Sequence, residues 1–211
     1  MPTLELEQAI IAKTGLRYVA GLDEAGRGAV AGPVVAAAVI LPLDDAARLK
    51  ELGAVNDSKQ LTAQQRDTLF DLICTHALAF GIGSTPADVI DEIGIIPANA
   101  RAMQAALAQL APAGEYLLID GRMKLKNLSL PQQSVIRGDS LSLSIAAASI
   151  LAKVTRDRQM IDIDPTYPHY GFARHKGYCT PQHVAALETH GPCSIHRHSF
   201  APIRPTLLDV G

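Results

Sequence analysis

The stretch YVAGLDEAGRG, at positions 18–28, decides the fold because it leads from an apolar run through two adjacent acids into a glycine-rich turn. A second apolar stretch, PVVAAAVIL at 33–41, follows directly. Continuous apolar and β-branched runs of this length on either side of a glycine-rich turn are typical of buried, neighbouring strands. We therefore predict two adjacent strands, over 18–23 and 33–41, joined by a wide loop.

Beyond this pair of strands, the apolar pattern predicts strands and helices in alternation. Further strands are predicted over 77–83, 116–119 and 134–136. Helices are predicted over 61–76, at Pro86 and Pro97 where proline suits a first turn, over 98–111, 144–158 and 180–190. This alternation predicts one α/β domain with a mixed sheet and a helical C-terminal part.

The composition agrees with one globular domain of 211 residues, of which 48% are hydrophobic and 19% charged. Charge is unevenly distributed along the chain. Between 153 and 204 there are seven Lys or Arg against four Asp or Glu, whereas the first 152 residues hold twelve against sixteen. A basic C-terminal part could receive a polyanion while the acidic part holds cations, but a solvated charged face would explain the same counts.

The start of the chain has no secretory signal pattern, and the longest nearly apolar run, 29–42, is interrupted by glycine and proline and is too short to span a bilayer. Three cysteines, Cys74, Cys179 and Cys193, form neither an even set nor a CxxC pair. They suit a reducing compartment. We expect a cytoplasmic protein with free thiols and no membrane partner.

Four acids stand at the ends of predicted strands: Asp23, Glu24, Asp120 and Asp139. Adjacent side chains on a strand alternate faces, so Asp23 and Glu24 can share one site only if the strand bends or a bridging group joins them. A cluster of four carboxylates would favour magnesium or manganese, because hard cations prefer oxygen ligands. Any single acid could instead be a cap, a turn former or a salt-bridge partner, and spacing alone does not decide between these interpretations.

Six stretches together resemble ribonuclease HII, the type 2 ribonuclease H family. They are YVAGLDEAGRG…AGPVVAAAVIL from 18 to 41, NDSKQLT at 56–62, LLIDG at 117–121, GDS…SIAAASILAKVTRD at 138–157, YGFARHKGY at 170–178 and HRHSFAPIR at 196–204. The resemblance implies a ribonuclease-H-like fold with a central mixed five-stranded sheet flanked by helices and a helical C-terminal extension. It implies a single domain over 1–211, with a catalytic core at about 15–160 and a basic substrate-binding part at about 161–211.

The same resemblance implies that Asp23, Glu24, Asp120 and Asp139 are the catalytic acids and hold divalent manganese or magnesium. The implied activity is endonucleolytic cleavage of RNA in RNA/DNA hybrids and cleavage 5′ of ribonucleotides embedded in duplex DNA. The products would carry 3′-hydroxyl and 5′-phosphate ends, as ribonucleotide excision repair requires, and the enzyme would act as a monomer. Two metal ions, one generating the hydroxide and one stabilising the leaving oxygen, would make a side-chain nucleophile unnecessary.

Residues for substrate recognition follow from the same resemblance. The loop formed by Gly26, Arg27 and Gly28 would contact the ribonucleotide, since glycines allow close backbone approach and the 2′-hydroxyl distinguishes RNA from DNA. Tyr178 would pack on the sugar. Three lysines, Lys59, Lys153 and Lys176, would face phosphates. Without the resemblance, these residues would be interpreted as a tight turn, a half-buried tyrosine and solvated cations. Ala29 and Val30 replace the proline and leucine frequent in the family.

Two rival interpretations remain in the sequence. The string GDSL at 138–141 resembles an esterase motif with Ser140 as nucleophile, but it lacks the Asp-x-x-His that usually supplies the base near the C-terminus. A zinc-binding or purely nucleic-acid-binding module is suggested by His190, Cys193, His196 and His198. Their spacing matches no common zinc pattern.

Overall fold

A computed structural model describes residues 1–56, 58, 61–126 and 128–203 of the protein. Its centre is a five-stranded sheet with the order β3-β2-β1-β4-β5. The strands are β1 (Val19–Ala25), β2 (Val34–Ile40), β3 (Ala79–Thr85), β4 (Tyr116–Asp120) and β5 (Gln132–Val135). β2 is antiparallel to β1 and β3, whereas β4 is parallel to both β1 and β5. The predicted mixed five-stranded sheet is therefore confirmed.

Helices cover the sheet and recur in the C-terminal part, as predicted. They are α1 (Glu5–Thr14), α2 (Ala46–Glu51), α3 (Ala63–His76), α4 (Ala87–Ile93), α5 (Ile95–Leu107), α6 (Leu143–Ile163), α7 (Phe172–His175) and α8 (Pro181–His190). Side-chain caps fix several starts, including the Thr62 and Gln65 capping box of α3 and the Thr180 cap of α8 before Pro181.

Several predicted boundaries are displaced in the structure. The helix predicted over 98–111 is α5, Ile95–Leu107, and the strand predicted over 134–136 is β5, Gln132–Val135. Two other displacements have a clear cause. β3 begins at Ala79 rather than at 77, because the N–H of Ala77 still bonds to the Ile73 carbonyl and ends α3. α6 continues to Ile163 rather than ending at 158, and its later residue Met160 is buried against the C-terminal part. A local helix-ending hydrogen bond thus sets the first boundary, and packing against a segment distant in sequence sets the second.

The core has one apolar layer on each face of the sheet. On one face, Ala37 and Val39 of β2 pack with Ile150 of α6, and on the other, Ala36 and Ala38 pack with α5. Side-chain alternation along β2 divides these residues between the layers. Small residues allow the helices to approach closely: a Cβ at Gly21 would overlap the backbone of α6. The acid-bearing end of β1 therefore lies directly beside α6.

The C-terminal part packs back onto the loop that connects β1 to β2. Tyr170 and Phe172 stack at 5.3 Å between ring centroids and form an apolar cluster with Ala31. A β-bridge joins Ala31 to His196. The three cysteines are free, as expected, and within the described ranges no helix is long and apolar enough to cross a membrane.

Candidate active site

β1 delivers two adjacent carboxylates to the edge of one cavity. Asp23 lies opposite Ala37 in β2 and beside Ser149 of α6, whereas Glu24 lies beside Asn99 of α5. The two acids therefore leave the strand on opposite faces, as strand alternation requires. Both nevertheless line the same cavity of about 390 Å³, which we call the acidic pocket. The pocket lies where β1 ends, so side chains from both faces reach it.

Asp120 joins them because β4 runs parallel to β1 and ends at the same edge. Its Oδ1 accepts a hydrogen bond of 2.7 Å from the N–H of Gly138. Asp139 follows Gly138 in a 3-10 turn, is only 3% exposed, and does not line the acidic pocket. The structure thus brings three of the four predicted acids to one pocket. The fourth, Asp139, is next in sequence to Gly138, whose N–H bonds to Asp120.

At this edge of the sheet, burial and mutual repulsion disfavour the charged form of the carboxylates. Burial raises the pKa of Asp23 well above its usual range, and repulsion by Asp120 and Glu24 adds to the effect. Burial also raises the pKa of Glu24, although hydrogen bonding with Asn99 and attraction by Arg27 oppose the change. A bound cation would offset this concentration of negative charge.

The oxygen-only donor set fits a hard divalent cation. Within residues 1–56, 58, 61–126 and 128–203, however, no three His, Cys, Asp or Glu side chains stand ready to hold a metal ion. The carboxylates are close together without forming a finished ligand shell.

Five of the seven residues predicted to recognise the substrate line the same acidic pocket. They are Gly26, Arg27, Gly28, Lys153 and Tyr178. Arg27 Nη1 lies 3.5 Å from Glu24 Oε1, and Lys153 Nζ lies 5.7 Å from the centroid of the Tyr178 ring. An aromatic ring, a glycine loop and cations therefore surround the carboxylates, an arrangement suited to a sugar and its phosphates.

Lys176 lies in a neighbouring pocket of about 380 Å³, which we call the basic pocket. Arg66, Lys153 and Tyr178 line both pockets, so the two are continuous. The basic pocket also includes Arg158 and Arg174. The Lys176 ammonium donates a hydrogen bond to the Ala173 carbonyl, and burial lowers its pKa. Lys59, the third predicted lysine, lies outside the described residues.

Sequence reasoning missed several polar residues that hold this site. Ser58 and Ser149 hydrogen-bond to one another at 2.7 Å, and both line the acidic pocket. Arg66 Nη1 donates to the carbonyls of Ser58 and Leu61 at 2.8 and 2.6 Å. The signal for Ser149 was its place in the otherwise apolar SIAAAS stretch, since a buried hydroxyl needs a partner.

The residues behind the rival interpretations have other surroundings. Ser140 lies in the 3-10 turn, and within the described part of the chain no histidine hydrogen-bonds to its hydroxyl. His196 is buried, with Nε2 2.9 Å from His183 Nε2 and Nδ1 3.1 Å from Cys193 Sγ. The surroundings of Ser140 give the esterase interpretation no support. Both ring nitrogens of His196 are engaged by other side chains, which gives the zinc interpretation no support.

Comparison with known proteins identifies a family for this fold and site. The family model for Ribonuclease HII matches residues 20–203. Ribonuclease HII of Geotalea uraniireducens (strain Rf4) is 51% identical over 203 residues, covering 96% of this chain and 91% of that protein. Ribonuclease HII of Chloroflexus aurantiacus (strain ATCC 29364 / DSM 637 / Y-400-fl) is 50% identical over 210 residues, covering 100% and 98%.

A solved structure shows the same fold. Ribonuclease H2 from Pyrococcus horikoshii OT3 superposes with a TM-score of 0.75 at 28% identity, covering 89% of this chain and 96% of that one. The likeness thus extends over most of both chains.

Proposed function

Because this chain belongs to the ribonuclease HII family and is a ribonuclease H enzyme, we propose that it cleaves two kinds of substrate. One is the RNA strand of RNA/DNA hybrids. The other is duplex DNA containing a ribonucleotide, cut on its 5′ side to leave 3′-hydroxyl and 5′-phosphate ends. Such cleavage would begin the removal of misincorporated ribonucleotides by a protein acting as a monomer in the cytoplasm.

The observation that carries this proposal is the shared pocket. Three carboxylates that suit a cation and a loop and tyrosine that suit a ribose line one cavity. A generic phosphodiesterase needs only the carboxylates. The loop and the tyrosine provide a means of choosing the strand that carries a 2′-hydroxyl.

We assign divalent metal binding to Asp23, Glu24, Asp120 and Asp139, since enzymes of this family depend on divalent metals in general. The fit rests on the oxygen donors and on the burial that, with repulsion by Asp120 and Glu24, raises the pKa of Asp23. When bound, magnesium or manganese would supply Lewis acidity toward phosphate and water. All four carboxylates would bind and orient the cations in this proposal.

The other residues bind and orient the nucleic acid in this proposal. Gly26 and Gly28 let the backbone approach the ribonucleotide, and Arg27 adds a positive charge at the pocket rim. Tyr178 packs its ring on the sugar. Lys153 and Lys176 bind phosphates along the continuous pockets, and Lys59 is assigned the same role from the sequence alone.

The test is cleavage of a duplex DNA that contains one ribonucleotide, in the presence of magnesium or manganese. We expect cutting 5′ of the ribonucleotide, no cutting of the matched all-DNA duplex, and a loss of more than about 100-fold in Asp120→Asn. The ends are identified by ligation and by phosphatase treatment.

Asp44→Asn is a suitable control, because among the described residues that exposed acid forms only a surface ion pair, with Arg17 at 3.1 Å. It should keep full activity. Equal cleavage of both duplexes, or full activity in Asp120→Asn, would contradict the proposal.

A further inference from the structure

Two buried arginines lie beneath the loop that connects β1 to β2, residues 26–33, which we call the β1–β2 loop. Arg156, from α6, and Arg197, from the C-terminal part, are both fully buried. Neither is paired with a carboxylate among the described residues. Burying a charge without an ionic partner is costly, so the groups that the two arginines contact indicate their role.

Both side chains donate to backbone carbonyls of the β1–β2 loop. Arg156 Nε and Nη2 bond to the oxygens of Pro33 and Ala31 at 2.9 and 3.0 Å. Arg197 Nε and Nη1 bond to the oxygens of Gly32 and Arg27, both at 3.0 Å. Four carbonyls of one short loop thus point toward two guanidinium groups.

The other side of the loop has the opposite pattern. Within the described part of the chain, the N–H groups of Arg27 and Gly28 hydrogen-bond to no other residue, and both residues are exposed at the acidic pocket. In a trans peptide the C=O and the following N–H point in opposite directions, so holding the Arg27 carbonyl inward turns the Gly28 N–H outward, where it can meet a hydroxyl or a phosphate.

Arg156 also connects the loop to Tyr178. Its guanidinium carbon lies 5.3 Å from the centroid of the Tyr178 ring, and a Cβ at Gly26 would overlap its side chain. The carbonyl of Gly177 accepts hydrogen bonds from Val30 and Ala31 at 2.9 and 3.2 Å. One side chain therefore packs against both elements assigned to ribose recognition.

We propose that Arg156 and Arg197 are positioning residues that fix the β1–β2 loop and Tyr178 in the geometry that selects a ribonucleotide. This inference rests on the proposed function, since it concerns how that site chooses its substrate. Neither arginine needs to touch the nucleic acid. Their contribution is preorganisation, because a loop that is ordered before binding loses less entropy on binding.

The test compares Arg156→Met and Arg197→Met with wild type in binding to duplexes with and without a single ribonucleotide. Binding is measured by fluorescence anisotropy with calcium in place of magnesium. We expect the preference for the ribonucleotide duplex to fall about tenfold, with affinity for the all-DNA duplex unchanged. Arg156→Lys keeps the charge without the guanidinium fork, so its preference should lie between those of wild type and Arg156→Met. This variant replaces Arg156→Met if the latter does not fold.

Arg48→Met is the matched control, since Arg48 also donates to a backbone carbonyl, that of Ala77 at 2.6 Å, but lines neither pocket. It should alter stability alone. Unchanged preference in a folded Arg156 or Arg197 variant would overturn the inference.

A second readout separates this inference from the proposed function. Amide hydrogen exchange and NMR chemical shifts of Arg27 and Gly28 report the loop geometry without any substrate. They should change in the Arg156 and Arg197 variants and not in Arg48→Met. If wild type showed no preference for the ribonucleotide duplex, the proposed function would fail. Unaltered amide signals in the variants would refute the positioning role itself.

Discussion

The acidic pocket and the β1–β2 loop lie side by side, and each concentrates charge of one sign. At the pocket, Asp23, Glu24 and Asp120 repel one another, and burial makes the repulsion worse. Under the loop, Arg156 and Arg197 are equally buried, and burial together with repulsion by Arg156 lowers the pKa of Arg197 to about 9. The same electrostatic problem thus occurs twice within one site.

The two regions differ in what compensates the charge. Carbonyl oxygens of the loop accept two hydrogen bonds from each arginine, while Arg156 Nη1 and Arg197 Nη2 are buried without a hydrogen-bond partner among the described residues. The carboxylates receive a few hydrogen bonds, and the pKa of Asp23 stays high in spite of them. The difference teaches that groups of the chain itself compensate most of the positive region, whereas the negative region fits a cation that the chain does not supply.

The largest expected effect, which would sharpen the comparison between the acidic pocket and the arginines, is the stabilisation of the folded protein by metal. Manganese at about 100 times its dissociation constant should raise the free energy of unfolding by about 2.7 kcal/mol. Chelation should reverse the gain, and Asp23→Asn or Asp120→Asn should lose most of it. Thermal unfolding with and without metal measures the effect. An equal gain in Asp120→Asn would mean that the metal binds elsewhere.

A somewhat smaller effect is expected where a side chain is forced against the arginines. Gly26→Ala should lower the free energy of unfolding by about 2 kcal/mol, because Gly26 has a φ of 86° and a Cβ there would overlap Arg156. Gly28→Ala is the matched control, since a Cβ at Gly28 meets no atom within 4 Å. Urea denaturation compares the two. Equal destabilisation would show that Arg156 does not restrict the loop.

The smallest effect concerns the acids without metal. The folded-state pKa of Asp23 lies above its unfolded value of 3.8, so this group favours the folded state most below that value and loses the contribution as pH rises through the folded pKa. At neutral pH, Asp23→Asn should therefore stabilise the metal-free protein, by about 1 kcal/mol. Denaturation at pH 5 and pH 7 tests this, with Asp44→Asn as control.

The gain from Asp23→Asn should shrink at the lower pH. A destabilised Asp23→Asn protein at neutral pH would mean that the carboxylate is already compensated within the chain, as most of the arginine donors are. The contrast between the two regions would then disappear.

Much of the fold could be predicted from local sequence. The apolar runs on either side of GRG predict β1 and β2, and the strong caps Thr62 and Thr180 fix where α3 and α8 begin. Placement of acids at the ends of β1 and β4 was also visible, because apolar strands that end in carboxylates are unusual. The family resemblance then assigned these acids and the loop to one enzyme.

Tertiary structure alone decided how those residues meet. The parallel register of β1 and β4 brings Asp120 to Asp23, and Asp139 is buried beside Gly138 instead of lining the pocket. No local pattern predicts that Arg197 bonds to the Arg27 carbonyl, 170 positions away. Propensity and periodicity act over a few residues, whereas burial and charge compensation depend on which distant segments the packed core brings together.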